Sequence, residues 1–127
     1  MKKTVILKLA VMGFMVVLSG CARYTTISEA LPQKIKQDSM TLETASKIVK
    51  DSIENVPAGH HPDHPGDKAL GKYTTSIRLR KHNRTGLVLV EVFERSRVMM
   101  EFYVHSREDG EQFINAVWRL RQEYQGK

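Results

Sequence analysis

Changes in the hydrophobic period divide the chain into elements. Leu42, Ala45, Ile48, Val49, Ile53 and Val56 recur at about 3.6 residues per turn, while Glu43, Lys47, Lys50 and Glu54 fall mainly elsewhere. This predicts an amphipathic helix from about Thr41 to Asn55. Thr41 is placed to cap it, Glu43 lies near the positive end of its dipole, and Pro57 and Gly59 stop it. Pro57 to Gly71 holds Pro57, Pro62 and Pro65 together with Gly59, Gly66 and Gly71, and reads as a loop.

The period then falls to two. From Lys72 to Lys81, Tyr73, Thr75, Ile77 and Leu79 alternate with Thr74, Ser76, Arg78 and Arg80, which predicts a strand with one buried and one wet face. His82-Asn83-Arg84-Thr85-Gly86 supplies turn chemistry. Leu87 to Glu94 is almost continuously apolar, with the β-branched Val88, Val90 and Val92, as expected of a central strand covered in part on both faces. Arg95-Ser96-Arg97 turns the chain into a third strand, Val98 to His105, with Val98, Met100, Phe102 and Val104 on one side.

A final helix opens at Ser106, a serine cap with Asp109 three residues later in imitation of a capping box. Phe113, Val117, Leu120 and Tyr124 form its apolar stripe, and Arg119 and Arg121 complement the negative end of its dipole. Trp118 is expected at the rim of the core with its indole nitrogen outward. The expected fold is α+β, a three-stranded antiparallel meander with an N-terminal and a C-terminal helix (α-β-β-β-α), both covering one face. Ala22 to about Met40 is polar without a sustained apolar period and reads as a tether, although Ile27, Leu31 and Ile35 lie four apart and leave room for a short helix.

The first twenty residues have a different character. Lys2 and Lys3 precede a ten-residue apolar run, Leu9 to Leu18, the length of a signal-peptide core and too short to span a bilayer. Leu18-Ser19-Gly20-Cys21 follows directly and resembles the lipobox of bacterial lipoproteins: a branched apolar residue, two small residues, then cysteine. The resemblance implies cleavage between Gly20 and Cys21, a diacylglyceryl group on the Cys21 sulfur and a further acyl chain, such as palmitate, on the new amino group. Several buried acyl chains at about 0.8 kcal/mol per methylene make an anchor that does not readily leave the membrane. In the Gram-negative family an aspartate after the cysteine favours the inner membrane; Ala22 stands there, which implies the outer membrane, facing the periplasm. Residues 1–20 are thus expected as signal peptide, 21–40 as lipidated cysteine and tether, and 41–127 as one small domain.

Composition narrows the possibilities. The chain carries +6, but three of its twenty lysines and arginines (Lys2, Lys3, Lys8) lie in the signal, leaving 17 basic against 14 acidic residues. That excess is too small for a concentrated nucleic-acid surface, so no nucleic-acid partner is expected. The lone cysteine cannot form an internal disulfide, and lipidation gives it a use.

Two clusters remain. His60, His61, Asp63 and His64, with Asp67 shortly after, put three imidazoles and two carboxylates within eight residues, a set that could chelate zinc or copper. The spacing matches no familiar metal signature, and the plainer reading is a solvated loop. Arg78, Arg80, Lys81 and Arg84 gather around the first hairpin and could meet an anionic ligand such as lipid head groups, lipopolysaccharide or a peptidoglycan carboxylate. Their plainer reading is a wet face whose arginines pair with Glu91, Glu94 and Glu101. No nucleophile elbow, phosphate loop or dinucleotide fingerprint occurs. The expectation is a membrane-anchored envelope protein acting as a binding or structural accessory module through protein contacts, as small lipoproteins of similar architecture do, with periplasmic metal binding as the alternative.

Overall fold

The computed structural model describes residues 23–36, 38–57 and 62–125. They form a four-stranded antiparallel sheet and three helices, a mixed α+β fold. The strands are β1 (Tyr24–Ala30), β2 (Ser76–His82), β3 (Val88–Glu94) and β4 (Arg97–Val104), side by side in that order. The helices are α1 (Leu42–Glu54), α2 (Asp67–Tyr73) and α3 (Arg107–Tyr124).

Both long helices start where their caps dictate. The Thr41 hydroxyl accepts from the Thr44 N–H at 3.1 Å, and the Ser106 hydroxyl from the Asp109 N–H at 3.2 Å. One face of the sheet carries Ile77 and Leu79 on β2, Val90 and Val92 on β3, and Met100, Phe102 and Val104 on β4, all buried. In register these make rows such as Leu79–Val90–Phe102. Helix α3 lies in the middle of the core: Phe113, Val117 and Leu120 are fully buried, and Phe102 meets Phe113 edge to face at 4.9 Å.

Two glycines set close approaches. A β-carbon on Gly110 would lie 2.9 Å from Leu79 Cδ2, so this glycine lets the start of α3 settle onto β2. A β-carbon on Gly71 would lie 2.6 Å from the Leu120 carbonyl oxygen, so α2 touches the α3 backbone there.

The structure corrects several expectations. The sheet has four strands, not three, because Tyr24–Ala30, expected in a tether, pairs with β2 as an edge strand. A bulge at Ile27, between Thr26↔Arg80 and Ser28↔Leu79, breaks the alternation and hides the strand period. The four-residue spacing of Ile27, Leu31 and Ile35 marks no helix, since Ile27 lies in β1 and residues 31–36 have no helical turn. The rest of the supposed tether is tied to α3: the Ile35 N–H donates to Gln122 Oε1 at 2.7 Å, and Arg119 Nε donates to the Met40 carbonyl at 2.9 Å. The loop expected up to Gly71 ends earlier, at α2, and Tyr73 belongs to that helix instead of a strand face. A second bulge, between Val92 and Phe93, puts Val98 opposite Phe93 and leaves it exposed, while Met99 packs against the core. Trp118 is fully buried instead of marking the rim. Arg119 and Arg121 each bind a carbonyl of another segment, Arg121 donating to the Thr74 carbonyl at 3.0 Å.

Candidate functional site

The sheet face turned away from the helices is covered by its own side chains. Its centre is Glu91 on β3, only 3 % exposed although it is a carboxylate. Two neighbours on β2 meet it. Arg78 donates from Nε to Oε1 at 2.9 Å and from Nη2 to Oε2 at 3.4 Å; Arg80 donates to the same oxygens at 2.6 and 3.0 Å. Antiparallel register puts Arg78 directly opposite Glu91 and Arg80 diagonal to it, and the guanidinium forks match a carboxylate. Burial pushes the Glu91 carboxyl up, but the two forks together hold it below its ordinary value, so it stays ionised. Its hydrogen bond raises the Arg78 guanidinium in turn, and Glu29 on β1 adds to that.

Aromatic rings frame this ion cluster. The Arg80 guanidinium lies 4.6 Å from the Tyr24 ring centre, and Arg78 lies 5.3 Å from that of Phe93. Tyr24 also packs edge-on against His82 at 5.2 Å and joins its hydroxyl to that of Tyr103 on β4. Leu89, between Arg80 and Tyr103 in register, is buried although no other element among the described residues covers this face.

The two ends of the face differ. At the end where β1 finishes and β3 turns into β4, Glu29, Leu31, Arg78, Phe93 and Arg95 line an open cleft of about 380 Å³. Leu31 is 69 % exposed there, and Arg95 takes a left-handed backbone, φ 58°, in the short turn. At the other end β1 begins beside the β2–β3 turn, where Lys81 and Arg84 are exposed.

Gly20 and Cys21, and likewise Ala22, His60 and His61, lie outside the described residues. Of the metal candidates, Asp63 and His64 are described, and both are exposed. His64 Nε2 stands 3.7 Å from Asp67 Oδ1, and the Ser46 hydroxyl donates to the other Asp67 oxygen. That is one imidazole beside one carboxylate at the start of α2. Among the described residues no three histidine, cysteine, aspartate or glutamate side chains gather closely enough to hold a metal ion. Nor, among these residues, is any helix long and apolar enough to cross a membrane.

The four cations grouped by sequence fall into two pairs. Arg78 and Arg80 are held by Glu91 in the middle of the face; Lys81 and Arg84 stand at one end. Sequence reasoning missed Tyr24, Arg23 and the Leu31–Phe93 cleft, although Tyr24-Thr25-Thr26-Ile27 is rich in strand-favouring residues and was the available signal. No protein-family model, curated protein or solved structure matches the chain.

Proposed function

We propose that the chain is a lipid-anchored protein of the bacterial envelope, held at a membrane through acyl chains on Cys21, and that its domain is a binding or structural accessory module for another envelope protein. The observation that carries this reading is the sequence Leu18-Ser19-Gly20-Cys21 immediately after a ten-residue apolar run. The spacing fits: the first strand begins at Tyr24, so the proposed cleavage point falls just ahead of the first described strand. Ala22 favours the outer membrane, with the domain facing the periplasm.

A protein contact is supported by the end of the sheet farthest from the anchor. Exposed Leu31, half-buried Phe93 and the cations Arg78 and Arg95 give that cleft the mixed apolar and charged lining that protein partners use. Its charges would set orientation, and its apolar groups would supply the area removed from water.

Two measurements test the reading. The intact mass of the native protein is expected to lack residues 1–20 and to carry acyl chains; an unmodified thiol or a retained Met1 overturns the anchor. A photoreactive residue in place of Leu31 is expected to capture one defined envelope protein, and one in place of exposed Lys47 is not; equal or diffuse capture at both overturns the module reading. Zinc or copper bound tightly by the native protein, and lost when His60, His61, Asp63 and His64 are replaced together, would favour the metal-handling alternative.

A further inference from the structure

We infer that the corner of the sheet formed by the start of β1 and the β2–β3 turn is a docking surface for the anionic phospholipid head groups of the bilayer that holds the anchor, so that the domain stands on the membrane with its strands pointing away from it. The inference rests on the lipid anchor at Cys21.

Reach comes first. Three Cα steps separate Cys21 from Tyr24, and at about 3.6 Å per step the chain can cover no more than about 11 Å. A domain on so short a leash cannot turn freely above the surface. The exit point is also fixed on the fold: the Asn83 N–H donates to the Arg23 carbonyl at 2.8 Å, and the Thr25 hydroxyl donates to Asn83 Oδ1 at 2.8 Å. With Tyr24 opposite His82 and Thr25 opposite Lys81, the acyl chains leave beside the hairpin turn and nowhere else.

Charge comes second. Arg23, Lys81 and Arg84 are exposed at this corner, and residues 23–26 and 81–88 contain no aspartate or glutamate. None of the three cations is in an ion pair among the described residues, whereas Arg78, Arg80 and Arg97 on the same sheet all are. Of the acids on the strands, Glu29, Glu91 and Glu101 fall in the row of Arg78, three residues along β2 from Lys81, and Glu91 is held there by Arg78 and Arg80. The turn is rigid enough to present these groups, since His82 Nδ1 accepts from the Thr85 N–H at 3.1 Å and the His82 carbonyl from the Gly86 N–H at 2.8 Å.

Each cation near an anionic surface strengthens attraction roughly fivefold, so three together favour the seated orientation by about a hundredfold. This is the second signal that stabilises an acyl anchor, and it also decides which face the protein offers outward. Seated in this way, the Leu31–Phe93 cleft lies at the far end of strands seven residues long, about 23 Å from the membrane.

The test uses the full lipidated protein in vesicles, with its mass checked first. Cys21 being acylated, Thr85→Cys introduces the one free thiol, and Ser96→Cys does the same at the opposite end; each carries a fluorophore. In vesicles containing phosphatidylglycerol the Thr85 probe is expected to lose at least about two-thirds of its access to an aqueous quencher relative to pure phosphatidylcholine, while the Ser96 probe does not change. Replacing Arg23, Lys81 and Arg84 with glutamine, or raising salt, is expected to restore access at Thr85. A lipidated, vesicle-bound protein whose Thr85 probe is equally accessible in both membranes overturns the seating alone. A free Cys21 thiol overturns the anchor and the seating together.

Discussion

The phenolic hydroxyls of Tyr24 and Tyr103 are hydrogen bonded to each other across the open face of the sheet, joining its two edge strands on the side that carries Arg80 and Leu89. One ring belongs to the residue that starts β1, so the bond ties the beginning of the described chain to a strand 79 residues later. It also explains why Leu89 is buried on a face that no other described element covers.

That bond sets how Tyr103 titrates. Its hydrogen bond to Tyr24, with burial and the nearby charge of Glu101 adding to it, pushes the Tyr103 phenol up to about 12. An unfolded tyrosine titrates near about 10, so the folded value is the higher one. The stabilisation is therefore fully present below about 10 and is lost as pH rises through about 12. Tyr24→Phe is expected to bring the Tyr103 tyrosinate absorbance back toward the ordinary range and to flatten the alkaline fall in melting temperature. An unchanged titration curve would count against the bond.

Glu91 governs the acid side. Its folded value is held low, so its contribution is complete above the ordinary carboxylate range and is lost as pH falls through the folded value. Glu91→Gln leaves two partly buried guanidiniums without their anion, and urea unfolding at neutral pH is expected to show a loss of about 1–3 kcal/mol. The variant should also lose part of the wild-type decline in stability on acidification; a parallel decline in both proteins would assign it to other carboxylates.

Gly71→Ala tests the closeness of α2 and α3. The added methyl would meet the Leu120 carbonyl, part of a helix backbone that cannot rotate aside. Overpacking of this kind costs about 1–3 kcal/mol, which outweighs the better helix propensity of alanine. A thermal melt showing a stability equal to or above wild type would refute the contact.

Deletion of residues 22–30 separates a tether from a structural strand. Losing a tether would leave the melting temperature of the remaining chain unchanged. Losing β1 uncovers the backbone edge of β2 and removes Ile27 and Ala30 from the core, so a lower melting temperature and aggregation in sedimentation are expected.

Local patterns were enough for α1, α3 and the three later strands. Apolar residues at helical or strand period, Thr41 and Ser106 as caps, and Asn83 and Gly86 in the turn all act within a few neighbours, so the linear order of residues carries them. The wet face of β2 was legible for the same reason, and so was the choice of Glu91 as one partner for its arginines. The proposed export signal and the residues around Cys21 are likewise a short linear pattern, and the proposed anchor rests on that pattern alone.

Other features depended on contacts distant in sequence. A bulge at Ile27 hid the period of β1, whose identity as a strand comes from pairing with β2 some fifty residues later. Helix α2 has only seven residues and contains Gly71, a poor helix former whose value lies in letting α3 come close. Which cations are paired among the described residues was decided by register and alternation: Arg78 and Arg80 share one carboxylate, while Lys81, next along β2, belongs to the other face. Pairing energy and close packing depend on which residues become neighbours in space, and chain order does not contain that until the sheet has closed.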